Sequence, residues 1–146
     1  MRISAKGEYA IKAMVDLALR AGRDLQPIQD IAARQGIPQR YLEQVLLQLK
    51  RSGFLYARRG SAGGYRLSRP ADSITVGAVL RAVDGPTAGP DASRRNGGPA
   101  GEAAGLAELW QEIADAVASV VDRTTLEDLR RRAEERRSAA RPMYHI

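Results

Sequence analysis

The stretch RRGSAGGYRL, Arg58 to Leu67, sets two arginines before a glycine-rich turn and a tyrosine and a third arginine after it. Two chemistries use such a stretch. A glycine loop can cradle the phosphates of a nucleotide, or it can be the tip of a β-hairpin that touches a nucleic-acid backbone. Nucleotide cradling by a P-loop needs GxxxxGK[ST], a lysine and a hydroxyl after the last glycine. Here Gly64 is followed by Tyr65, and no lysine is near. The hairpin fits better: Arg58 or Arg59 would enter a minor groove or clamp a phosphate, and the glycines at Gly60 and beyond let backbone approach closely. A second polar group lies upstream. Arg40 can pair with guanine, Gln39 and Gln44 with adenine, and Glu43 can accept from cytosine N4 while repelling the acceptors of wrong bases.

Other chemistries lack their residues. The chain has no cysteine, so it holds no disulfide, thiolate metal site or cysteine nucleophile. Its one histidine, His145, lies in the closing Met-Tyr-His-Ile, where one imidazole makes neither a closed metal site nor a nucleophile–base pair. Adjacent carboxylates at Glu134 and Glu135 fall in the charged run Arg130 to Arg137, which reads as a solvated helix face. The expectation is no catalysis, no metal and no cofactor.

The polar groups need elements to hold them. Arg2-Ile-Ser4 reads as a short edge strand, with Ser4 capping a helix to about Arg20 whose stripe is Ala10, Met14, Leu17 and Ala18. A short helix follows Pro27, with Ile28, Ile31 and Ala32 inward and Gly36 as its stop. A third helix follows Pro38 and runs from about Gln39 to Ser52. Leu42, Val45, Leu46 and Leu49 form its buried stripe; Arg40, Glu43, Gln44 and Gln48 face the other way, with Gln39 and Tyr41 at its start. Two β segments, Phe54 to Ala57 and Gly64 to Leu67, make the hairpin, and Thr75 to Val83 a fourth helix. Three helices followed by a hairpin, with a tight Gly-Ile-Pro turn between the second and third helices, is the layout of a winged helix-turn-helix. The fold class is mostly α with a small β wing.

Gly85 to Ala104 is rich in glycine, proline and alanine and reads as a flexible loop. Beyond it, Leu106, Leu109, Trp110, Ile113, Val117 and Val120 recur at three- and four-residue steps. That stripe fits a dimer seam or packing onto the fourth helix, and the seam is the stronger reading. Thr124-Thr-Leu-Glu127 fits a capping box opening a last helix. The domain reading is 1–84 DNA-binding head, 85–104 loop, and 105–146 dimerisation helix with a C-terminal helix and tail.

Charge agrees. Residues 1–70 carry 13 Lys/Arg against 5 Asp/Glu; residues 71–146 carry 10 against 12. A basic head on a near-neutral module fits a polyanion partner, although an arginine-rich solvated surface has the same count. No apolar run approaches the ~20 residues that span a bilayer, and the start is not a secretion signal, so no membrane and a cytoplasmic location are expected.

Three stretches carry a family resemblance: MRISAKGEYAIKAMVDLAL; IAARQGIPQRYLEQVLLQLKRSGFLYARRGSAGGYRLSRP; and ITVGAVLRAVDGP. They resemble the Rrf-type winged-helix regulators over residues 1–86, and the likeness resumes from Leu109. The resemblance implies a homodimeric bacterial transcription factor on a palindromic operator in double-stranded DNA, and it puts Gln39, Arg40, Glu43 and Gln44 at bases and Arg59 and Gly60 at the minor groove. The DNA-facing set is then Gln39, Arg40, Tyr41, Glu43, Gln44, Arg58, Arg59, Gly60 and Tyr65. Many members bind an iron–sulfur cluster through three cysteines in the region matching Gly85 to Ala104; this chain has none. LWQEIADAVASVVDRTTLEDL and MYHI look like the cysteine-free CymR-like branch, which implies a repressor of cysteine metabolism with the enzyme cysteine synthase as partner. Two rival readings are a protein-interaction module docking an enzyme by its tail, and a metabolite sensor using 85–104 as a lid.

Overall fold

The structure, a computed structural model, describes residues 3–85 and 102–140. Helix α1 spans Ala5–Leu19. Ser4 starts it: its Oγ accepts the Gly7 N–H at 2.9 Å, while its hydroxyl donates to the Asp84 carboxylate at 2.7 Å. That one side chain caps α1 and ties it to the end of a helix eighty residues away. Ile3 and Ser4 belong to no strand, so the expected edge strand is not formed there; Arg2 lies outside the described residues.

Helices α2 (Ile28–Gln35) and α3 (Gln39–Arg51) follow, separated by Gly36, whose left-handed φ of 63° ends α2. Strands β1 (Leu55–Arg58) and β2 (Gly64–Leu67) pair antiparallel, with Leu55 opposite Leu67 and Arg58 opposite Gly64. Arg58 thus ends a strand, and the tip is Arg59 to Gly63. Gln26 adds a one-residue third strand beside β2, exchanging both backbone hydrogen bonds with Tyr65 at 2.9 Å. The wing is therefore anchored to the segment that leads into α2.

Gly64 makes that anchor. Its φ is 151°, and a Cβ there would run into the Gln26 carbonyl. Gly64→Ala should cost about 1–3 kcal/mol through strain and a displaced rung. Amide exchange at Gln26 and Tyr65 should accelerate ahead of the core; protection equal to wild type at both would refute the anchor.

The core lies where α1, α3 and α4 (Val76–Asp84) converge. Ala10, Ala13 and Met14 of α1, Leu42, Val45, Leu46 and Leu49 of α3, and Val79 of α4 are wholly buried. Interlocking apolar stripes hold α3 at a fixed angle; burying a large aliphatic side chain is worth about 1.5–3 kcal/mol. Gln48, expected on the polar face of α3, is half-buried instead, and its Oε1 is buried.

Helices α5 (Glu102–Arg123) and α6 (Leu126–Ala140) complete the chain. Thr124 and Thr125 form one antiparallel bridge to the start of α4: Val76 N–H donates to Thr124 O, and Leu126 N–H to Ile74 O. This fixes Thr124 in the bridge and moves the capping box one residue along from the expected Thr124–Glu127. Thr125 Oγ1 accepts the Asp128 N–H at 3.1 Å, and the Asp128 carboxylate accepts the Thr125 N–H at 2.9 Å. Leu126 enters the core with no exposure, and α6 packs on α1. Its charged run is more than a solvated face: Arg130 bridges Glu127 and Glu134.

Candidate nucleic-acid interface

Helix α3 buries four aliphatic residues, so geometry turns its other side outward. Gln39, Arg40, Glu43 and Gln44 are all exposed there. Leu47, one turn on, is 44% exposed on the same side. Sequence reading passed over Leu47, although its spacing from Arg40 and Glu43 places it there. An exposed aliphatic side chain on such a face can meet a thymine methyl. Tyr41 is held differently: its ring stands edge-on to Tyr9 of α1, with centroids 5.2 Å apart, which braces the start of α3.

The wing stands beside this helix. Arg59, Gly60 and Arg58 on one side, and Leu47 and Lys50 of α3 on the other, line an open cleft of about 420 Å³. Gly60 carries a φ of 107°, which the tight tip requires. Tyr65 lines the same cleft. It is half-buried against the core, and its phenol is pushed above the ordinary value by that burial and then by the Glu43 carboxylate. So Gln39, Arg40, Tyr41, Glu43, Gln44, Arg58, Arg59 and Gly60 are all exposed, and the half-buried Tyr65 lines the cleft with Arg58, Arg59 and Gly60.

Electrostatics add to that surface. Some basic residues elsewhere are paired: Arg20 and Arg34 share Asp16, Arg81 meets Asp122, and Arg130 meets Glu127. Among the described residues, Arg40, Lys50, Arg51, Arg58 and Arg59 have no acidic partner. Unneutralised guanidinium groups beside an exposed polar helix are the electrostatic footprint of a polyanion site.

Helix α5 keeps its apolar side open. Leu106, Leu109, Trp110 and Val120 are 50%, 46%, 37% and 48% exposed, and Ile113 and Val117 are half-buried. It packs on α4 through its far end, where Gly77 leaves room for Asp122 and Arg81 binds that carboxylate. Packing onto α4 therefore does not cover the stripe. The loop expected at 85–104 and the Met-Tyr-His-Ile tail with His145 lie outside the described residues, save Gly85 and 102–104.

A three-helix head with an arginine-bearing wing defines a winged helix-turn-helix, a DNA-binding regulator of transcription and not an enzyme. The family described as "Rrf2: Iron-dependent Transcriptional regulator" matches residues 3–132. The chain belongs to that family. It is 37% identical over 129 residues to the HTH-type transcriptional regulator IscR of Erwinia tasmaniensis, covering 88% of this chain and 78% of the relative. It is also similar to the solved structure of CymR, described as the global cysteine regulator of B. subtilis, with TM-score 0.77 and 36% identity over 89% of this chain and 96% of that one. The IscR structure from T. potens gives TM-score 0.76 and 30% identity, over 99% of this chain and 94% of that one.

The family description carries iron, and the donor set here does not fit a thiolate-ligated iron–sulfur cluster. The chain has no cysteine, and among the described residues no three His, Asp or Glu side chains converge as metal ligands. No helix among the described residues is long and apolar enough to cross a membrane.

Proposed function

We propose that the protein is a homodimeric, cytoplasmic repressor that reads a palindromic operator without an iron–sulfur cluster. The observation that carries this is the unpaired Arg58–Arg59 pair beside the exposed polar face of α3. Residues 1–84 form the reading head, with Gln39, Arg40, Glu43 and Gln44 at base edges and Arg59 with Gly60 in the flanking minor groove. Residues 105–146 join two heads through Leu106, Leu109, Trp110, Ile113, Val117 and Val120, and 85–104 connect the parts. The open stripe on α5 supports the seam, because apolar area of this extent is otherwise left in water. Bound across two major grooves, the dimer would block polymerase.

Arg59→Ala tests the reading. We expect operator affinity to fall about 10- to 100-fold, with the slope of log K against log salt reduced by about one. Unchanged affinity and slope would remove the wing from the interface. Glu43→Ala should cost less affinity and relax base choice at one position, by about 1–3 kcal/mol of discrimination. Measured by competition among single-base operator variants, an equal loss on every sequence would contradict base readout.

Likeness to CymR of B. subtilis, described as the global cysteine regulator, supports cysteine metabolism as the target. Cysteine synthase as partner follows only from the resemblance of the closing residues to the CymR-like branch. Pull-down of that enzyme by wild-type protein, lost on deleting residues 143–146, would support docking by the tail; no complex at micromolar concentrations would exclude it.

A further inference from the structure

Behind the wing, away from α3, lies a second cluster of arginines. A cleft of about 210 Å³ opens between the end of α1 with its following turn and β2 with the segment after it. Arg20 and Arg23 stand on one wall, Arg66 and Arg69 on the other, and Leu17 and Ala71 contribute to an apolar floor. Of the DNA-facing set, only Tyr65 touches this cleft.

The lining charge is not neutralised. Asp24 is the one carboxylate on the lining, against four arginines. Arg20 is bound to Asp16 at 3.1 Å, but Asp16 also serves Arg34 at 2.9 Å, so one negative charge answers two positive ones. Among the described residues Arg23, Arg66 and Arg69 have no acidic partner. Two of the guanidinium groups are held by stacking at the cleft's edge: Arg66 lies over the Tyr56 ring at 4.5 Å, on the face it shares with Arg58, and Arg69 over Phe54 at 4.8 Å. Stacking occupies a guanidinium's face and leaves its in-plane N–H edge free for an oxyanion. The Arg20 guanidinium is pushed below its ordinary value, first by burial and, against the pull of Asp16, also by Arg34, Arg137 and Arg23. An added negative charge would relieve that repulsion.

We propose that this cleft binds a small organic anion, a carboxylate or phosphate ester with a compact apolar body, held by Arg20, Arg23, Arg66 and Arg69 over the Leu17–Ala71 floor. The volume suits a small metabolite; drug-sized ligands take about 300–1,000 Å³. Four guanidinium groups select two or more anionic oxygens, and the floor selects against a fully hydrated inorganic ion.

The test titrates the full-length protein with phenyl phosphate and with inorganic phosphate, without DNA and at constant ionic strength, following backbone amide resonances. Phenyl phosphate should saturate below about 10 mM, with shifts confined to residues 20–24 and 65–71, and should bind more tightly than inorganic phosphate. Arg66→Gln with Arg69→Gln should weaken it about tenfold through two lost charge-assisted contacts. Arg131→Gln with Arg132→Gln, an equal change of charge elsewhere, should leave it unaltered. No saturation, shifts scattered over all arginines, or equal loss in both double variants would overturn the site. So would a phenyl phosphate affinity unchanged in Arg66→Gln/Arg69→Gln alongside a lower salt slope for operator binding, because the arginines would then belong to the DNA backbone. Binding is measured without DNA, so its failure is distinct from a failure of the operator reading.

Discussion

Asp16→Ala should destabilise the protein by about 3 kcal/mol, the lower end of the 3–5 kcal/mol expected when one partner of a buried ion pair is removed. Asp16 has no exposed surface, yet it sits on α1 among the core residues. Its carboxylate accepts from Arg34 Nε at 3.0 Å and Nη2 at 2.9 Å, from Arg20 Nη1 at 3.1 Å, and from Gln35 Nε2 at 3.0 Å. Four donors satisfy the charge, and through them α1 is fixed to α2. Alanine would strand two guanidinium groups. Their side chains are 29% and 18% exposed, so water can recover part of the loss. Against a total of about 5–15 kcal/mol, the change is a large fraction of the stability. Asp16→Asn, which keeps the shape and one acceptor, should lose less. Urea unfolding of the three proteins measures both effects, and a loss under about 1 kcal/mol for Asp16→Ala would show that the cluster is a solvated pair.

Leu109→Asp with Trp110→Asp should abolish the dimer and, with it, most operator affinity. Both side chains are already exposed in the single chain, at 46% and 37%, so the head should fold as before. In a dimer, the second head meets its half-site at an effective concentration near millimolar. Without it, affinity should fall about 10²- to 10⁴-fold. Sedimentation velocity should show a monomer with a wild-type circular dichroism spectrum. A variant that still sediments as a dimer, with operator affinity intact, would place the seam elsewhere.

Much of the head was legible because its signals are local. Leu42, Val45, Leu46 and Leu49 recur at helical spacing, so the exposed face of α3 could be named from the pattern alone. Gly36 ended α2 as read, and Ser4 capped α1. What failed to appear depends on contacts between distant segments. Asp16 is an acid flanked by a helix's apolar positions, and only the fold brings Arg34 to it. Gly64 read as the first residue of the second β segment, whereas the approach of Gln26 is what demands a glycine there. The Thr124 cap moved by one residue because the backbone of Thr124 is taken by Val76. Arg66 stacks on Tyr56, its cross-strand partner, and the strand alternation puts both on the face of the wing that carries Arg58, a pairing that only the register of the hairpin sets.

The central claim is that two heads read one symmetric site. Selection of the purified full-length protein on random duplex DNA, at about 0.15 M salt, tests it most directly. The expected result is an enriched site with two-fold symmetry, its half-sites one helical turn of about 10–10.5 base pairs apart, or a multiple of it, with altered preference in Glu43→Ala at one position of each half. No enrichment from folded, dimeric protein, with cysteine synthase present or absent, would contradict it.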